Sequence, residues 1–245
     1  MRYHQIIRDL SLLKHFIYWL PELEDNEAFF LCLQARKKYM PSLKTSDKTQ
    51  LKRFVASSKD HLLDKIRQLE CPVGGYRTDD DEPIEDEGMV LYITPNPRDM
   101  KKASFNAIKA LADMLQNNGM NLNPHSEALS QIHKTKSRSV FVHFDIDFPT
   151  GTISDANATK CNLTIKEIYE QVVPIVGTKA VEVLTTRGGC HVLIRPNLVV
   201  SKNKNWFPEV AKIIKSDQCG DLMIPVVGCV QGGFIPHFYK PQEAQ

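Results

Sequence analysis

Two aspartates stand one residue apart in the run Ser139 to Phe148, SVFVHFDIDF. Side chains on a strand alternate between faces, so Asp145 and Asp147 share one face while Phe144, Ile146 and Phe148 share the other. Two carboxylates pointing the same way repel unless a cation sits between them. Mg²⁺ or Mn²⁺, hard ions that take oxygen ligands, suit such a pair. Further along, Thr186 to Ile194 reads TRGGCHVLI. There Gly188 and Gly189 are expected to expose backbone N–H groups beside His191, where a phosphate can bind. A third acidic position is offered by Asp217 or Asp221, ahead of the run MIPVVG from Met223 to Gly228. A D-x-D pair alone, or a glycine turn with a histidine alone, is a common surface feature. Together on one sheet edge they specify chemistry on a phosphorylated substrate.

The elements needed to bring them together are legible in outline. The segments 2–20 and 26–40 read as helices stopped by Pro21 and Pro41, and Ser46 to Leu69 carries a third pattern near a 3.6 period. The Gly-, Pro- and Asp-rich stretch from Cys71 to Gly88 reads as a mobile, non-catalytic loop. That predicts a helical N-terminal lobe over residues 1–88 and a catalytic α/β unit over 89–245. In the second unit, MVLYIT (Met89 to Thr94) is a strand, residues 99–117 form a helix, and a polar connection runs to about Ser137. Then come the strand with the D-x-D pair, a helix opened by the capping box Thr164–Glu167, and a hairpin turning at Thr185 to Gly189. A helix over Asn205 to Ile214 and a strand over Leu222 to Val230 complete the order β-α-β-β-α-β across residues 138–235. This is the split-βαβ arrangement of ferredoxin-like and RNA-recognition folds, and the fold class is α+β. With the first and third strands central and the fourth beside the first, Asp145, Asp147, His191 and the third aspartate meet at one edge.

Composition removes other classes. No apolar run approaches the roughly 18 residues of a membrane span, and MRYHQIIRDLSLLKHFIYWL is broken by charges, unlike a signal peptide. A cytoplasmic protein without a membrane partner is expected. The six cysteines form no C-x-x-C pair, so buried thiols are expected and zinc is not. The net charge of +2 conceals an asymmetry. Seven acids lie between Asp79 and Glu87, and the stripe Arg36 to Glu70 holds ten Lys and Arg against four acids. Such a stripe suits a polyanionic partner.

FDID (Phe144 to Asp147), TRGGCHVLI, and an aspartate ahead of MIPVVG resemble the three motifs of the archaeo-eukaryotic primase superfamily. LYITPNPR (Leu91 to Arg98) resembles the N-P-rich strand end in the first module of primase-polymerase members, and Ala35 to Tyr39 resembles mobile-element primase-like proteins. The resemblance covers roughly residues 89–240. It implies that Asp145 and Asp147 hold two divalent metals, with Asp217 or Asp221 completing the site. Spacing to the proline favours Asp217, adjacency to the strand favours Asp221, and neither carries the family's preceding hydrophobic residue. His191 would contact the triphosphate of the incoming nucleotide, with Arg187, Gly188, Gly189, Arg98 and Asn96 as further nucleotide contacts. The implied activity is a DNA primase or polymerase, a nucleotidyltransferase in which a 3′-hydroxyl attacks the α-phosphate of an NTP or dNTP on a single-stranded DNA template. The basic stripe would track the template, and a separate helicase would supply it. The competing classes are a non-catalytic RNA-recognition-type replication protein and a D-x-D nucleotide-sugar transferase.

Overall fold

The computed structural model describes residues 2–43, 48–78, 80–116, 123–148, 163–200, 205–216 and 218–241. Over these residues the chain is α+β, with six α-helices and two antiparallel sheets. Helix α1 (Leu10–Trp19) begins at Asp9, whose side chain accepts the Leu12 N–H. It precedes strand β1 (Glu27–Arg36), which pairs with β2 (Lys48–Ala56). Both strands fall where the sequence predicts helices. β1 is apolar almost throughout because both its faces are covered, and periodicity cannot distinguish such a strand from a buried helix. Phe29, Leu31, Leu33 and Ala35 pack with Leu13 and Phe16 of α1 and with Leu62 and Ile66 of α2 (Leu62–Arg67). Phe30 and Cys32, on the other face, meet Leu129. In β2 the period is two: Lys48, Gln50 and Lys52 are exposed while Thr49, Leu51 and Arg53 are half-buried.

β1 also pairs with β3 (Met89–Ile93) and with the two-residue strand β4 (Arg98–Asp99). A sheet therefore crosses the expected boundary at residue 88, and the segment before it is not a helical lobe. Helix α3 (Met100–Gln116) follows as expected, but the connection after it contains a further helix, α4 (Pro124–Lys134). Asn123 caps α4 and Pro124 opens it, two start signals hidden by the polar composition. The acidic stretch is anchored as well. Asp86 is only 3% exposed and accepts hydrogen bonds from the Gln5 N–H and Arg8, with His4 Nδ1 at 2.6 Å.

The second sheet uses β5 (Val142–Asp147), α5 (Ile165–Val176), β6 (Val181–Thr186), β7 (Gly189–Ile194), α6 (Trp206–Ile214) and β8 (Gln218–Gly220). The Thr164–Glu167 capping box is formed. The strand expected over Leu222 to Val230 is divided. β8 lies ahead of it, while β9 (Ile224–Pro225) pairs with β3 in the first sheet. β5 and β7 are central, β8 lies beside β5, and β10 (His237–Phe238) joins β6 at the opposite edge. Phe144, Ile146, Val183, Val192 and Ile194 face α5 and α6, whereas Leu184 and Leu193 join the core of the first sheet. The face that carries Asp145 is thus the one turned toward the N-terminal half. Among the described residues no helix is long and apolar enough to cross a membrane.

His133 of α4 stacks on Phe30 with ring centroids 4.9 Å apart. Burial, reinforced by Arg98, lowers its pKa. Below the ordinary value of about 6.5 the unfolded chain binds a proton that the native state refuses. The resulting contribution to stability is complete above that value and declines as pH falls. Urea unfolding at about pH 7.5 and about pH 5 is expected to give a smaller stability difference for His133→Phe than for the wild type.

Candidate active site

β5 and β7 pair with Asp145 opposite His191 and Asp147 opposite Gly189. Antiparallel register puts directly opposed side chains on one face, so two residues 46 positions apart in sequence meet. His191 Nδ1 lies 3.1 Å from Asp145 Oδ1 and 2.8 Å from Nε2 of His143, two residues earlier on the same face of β5. A proton on His191 Nδ1 satisfies both contacts. Burial and the neighbouring His191 push the pKa of His143 down to about 3, so this ring is neutral. At Asp145 burial acts to raise the pKa, but the hydrogen bond from His191, with His191 and Lys38 close by, outweighs it and lowers the pKa. The carboxylate is therefore held ionised inside the fold. No sequence motif singles out His143 as a site residue, although strand alternation already puts it on the face of Asp145.

The other wall comes from the end of β1. Lys38 Nζ and Asp147 Oδ1 both lie about 4 Å from where a Cβ on Gly188 would stand. Tyr39 is ringed by cations, with Arg187 4.8 Å, Lys38 5.2 Å and Arg36 6.0 Å from its centroid. Gln231 holds this group together: its Oε1 accepts the Arg187 N–H at 2.9 Å and its Nε2 donates to Tyr39 at 3.1 Å. Arg187 also donates to the Gly232 carbonyl. Gly232, at φ 56°, leaves no room for a Cβ, which would lie 2.5 Å from Tyr39. Arg36 donates to the Tyr92 hydroxyl at 2.9 Å. Burial raises the pKa of that phenol, with Tyr39 and Asp145 adding to the rise. Sequence spacing gives no sign of Gln231 or Tyr92, whereas the turn Arg36 to Tyr39 is visible as a basic, aromatic cluster.

The remaining expected site residues separate. Gly188 borders Asp147 and Lys38. Gly189 instead serves a close strand approach, because a Cβ there would stand 1.9 Å from the Ile146 carbonyl oxygen. Asn96 and Arg98 are buried and face away from a ligand role. Asn96 Oδ1 accepts the N–H groups of Val140 and Phe141 at 2.8 Å, and its Nδ2 donates to the Phe141 carbonyl and to Asp221 Oδ1, each at 3.0 Å. Arg98, 1% exposed, pairs with Asp221 Oδ2 at 2.5 Å. The entry to β5 is thus clamped, and Asp221 belongs to the clamp. β8 begins at Gln218, opposite Asp145, so Asp221 follows that strand instead of preceding it. Asp217, immediately ahead of β8 in sequence, lies outside the described residues. Among the described residues no group of three or more His, Cys, Asp and Glu side chains is arranged to hold a metal ion.

Comparison with protein-family models, curated proteins and solved structures finds no match to this chain. The site's own chemistry has to carry the functional reading.

Two substitutions separate clamp from site. Asp221→Ala, which strands the buried Arg98 guanidinium, is expected to cost about 3 kcal/mol. Asp147→Asn, at an exposed position, should stay within about 0.5 kcal/mol of wild type. Denaturant midpoints measure both. Gly189→Ala forces apart two central strands and is expected to destabilise by at least about 2 kcal/mol, whereas Gly188→Ala meets only ordinary van der Waals neighbours.

Proposed function

We propose that this chain is a nucleotidyltransferase of the primase-polymerase type, transferring an NTP or dNTP to a nucleic-acid 3′-hydroxyl on a single-stranded template. The observation that carries this reading is the gathering of anionic and cationic side chains around the turn at Gly188. Asp145 and Asp147 share a face of β5, with Lys38 close to both Asp147 and the turn at Gly188 and Arg187 held nearby on Tyr39. A site for phosphate alone needs no carboxylates, and a site for a metal alone needs no cations. A metal–polyphosphate complex needs both.

The donor set fits hard divalent ions such as Mg²⁺ or Mn²⁺, because Asp145 stays ionised against the pull of burial. Asp145 and Asp147 would hold them. Bound there, such ions neutralise the polyphosphate and favour ionisation of the attacking hydroxyl. Lys38 and Arg187 bind the phosphates, the second as a planar fork whose orientation is fixed by Tyr39 and the Gly232 carbonyl. His191 is oriented through Nδ1 by Asp145 and His143, and in the imidazolium form its Nε2–H donates to a phosphate oxygen. His143 positions His191 without reaching the substrate. Little covalent chemistry is asked of the protein, and its work is placement and charge compensation.

With Mn²⁺, a primed single-stranded template and labelled dNTPs or NTPs, the wild type is expected to extend the primer. Asp145→Asn and Asp147→Asn should lower incorporation by at least about 100-fold; the thermal midpoint should hold for Asp147→Asn and fall for Asp145→Asn, which weakens the contact with His191. Full incorporation by either variant would overturn the reading. His191→Ala should weaken nucleotide binding in a titration while leaving template affinity unchanged.

A further inference from the structure

A helix that packs on one side of a domain needs one apolar stripe, and α3 carries two. The first is used. α3 packs chiefly on α4 and β4, with Ala103 and Ala107 buried and Asn106 reaching Thr135 just past α4. The second stripe turns away from them. Phe105, Ile108 and Leu115 are 65%, 65% and 67% exposed, and Ala112 between them is exposed as well. Their spacing alternates three, four and three residues. At the helical turn of about 100° per residue, all four side chains fall within a sector of about 80°.

Apolar side chains scattered singly on a surface are ordinary, but a row with this period is not. Alternating spacings of three and four let one helix lie along another and interdigitate with it at each layer. The three large side chains offer on the order of 350 Å² of apolar surface, a patch size that marks a contact site. The helix is already ordered by α4 and β4, so a partner bears no cost of forming it. Two observations select a second copy of this chain as that partner. Turned about a two-fold axis, the row complements itself: Phe105 meets Leu115 and Ile108 meets Ala112, with no polar residue in any layer. Parallel pairing would instead oppose Lys101, one turn before Phe105, to its own counterpart. The border of the row is also matched in charge. Lys109 and Asp113 lie one turn apart along it, both exposed. In the antiparallel pair each Lys109 comes between its own Asp113 and that of the other copy, so the signs alternate across the axis.

We propose that α3 is a self-association surface. Two copies of the chain pair through an antiparallel contact of Phe105, Ile108, Ala112 and Leu115, bordered by Lys109 and Asp113. The apolar area from both copies, on the order of 700 Å², lies with its polar border at the low end of specific interfaces. Such a dimer forms at roughly micromolar concentrations and dissociates on dilution. It makes no use of the carboxylates of β5, so it stands or falls apart from the enzymatic proposal.

Sedimentation equilibrium of the full chain, from about 1 to about 200 µM, reads the association directly. A monomer–dimer equilibrium with a dissociation constant on the order of 10 µM is expected. Ile108→Glu puts two carboxylates into the central layers and should raise that constant at least about 100-fold. The thermal midpoint of the dilute, monomeric protein should not move, because the position is exposed. Lys109→Glu leaves the apolar row intact but gathers four acids about the axis, and should weaken the dimer about tenfold. Adding Asp113→Lys restores the alternation and should recover the wild-type constant. A chain that stays monomeric at about 200 µM, or a dimer indifferent to Ile108→Glu, would overturn the second copy as the occupant of this stripe. A dimer equally strong with Lys109→Glu, or one that Asp113→Lys fails to rescue, would overturn the antiparallel arrangement.

Discussion

A half-buried ionised carboxylate needs compensation within hydrogen-bond reach, because solvent supplies only part of it. For Asp145 the compensation is His191, 3.1 Å away on the neighbouring strand. Much of the second sheet is arranged around that contact. β7 must lie against β5 in the register that opposes the two residues, and Gly189 must lack a side chain so that the strands approach beside Ile146. His143 must remain neutral so that its Nε2 accepts a share of the His191 proton instead of repelling it. Changing the register by one residue would send Asp145 into the apolar layer beneath α5 and α6.

The N-terminal half supplies what the second sheet lacks. Its core continues through Leu184 and Leu193 into the face that bears Asp145, and its β1 ends in the turn that brings Lys38 and Tyr39 to the carboxylates. The segment from Asn96 to Arg98 ties the halves together with a different kind of bond. Asn96 completes the backbone pairing of Val140 and Phe141, and Arg98 buries its charge against Asp221. Removing one partner of such a pair costs more than the pair contributes, so the clamp resists gradual change. The charged groups near Asp145 thus divide into those that clamp the fold, such as Arg98 and Asp221, and those gathered around the turn at Gly188.

Three elements of the second half are legible in local residue order. The alternation in SVFVHFDIDF, the Thr164–Glu167 box and the glycine turn after Thr186 are local signals, and each produced the expected element. Alternation also fixed Asp145 and Asp147 on one face, because period two is a property of any strand. The remaining assignments depend on contacts between distant segments. A run such as EAFFLCLQAR is apolar on both sides only because helices cover both sides, and nothing local states that. The same holds for Asp221, Asn96 and Arg98, whose types suit a ligand site but whose partners, over 120 residues apart for Arg98 and Asp221, bind one another instead. The basic stripe was legible as charge, and only the fold separated Lys59 and Lys65, which bond backbone carbonyls, from Lys48 at the exposed edge of β2. Local chemistry is written in residue type and spacing, whereas the choice between structural and ligand-facing charge depends on which distant group reaches it first.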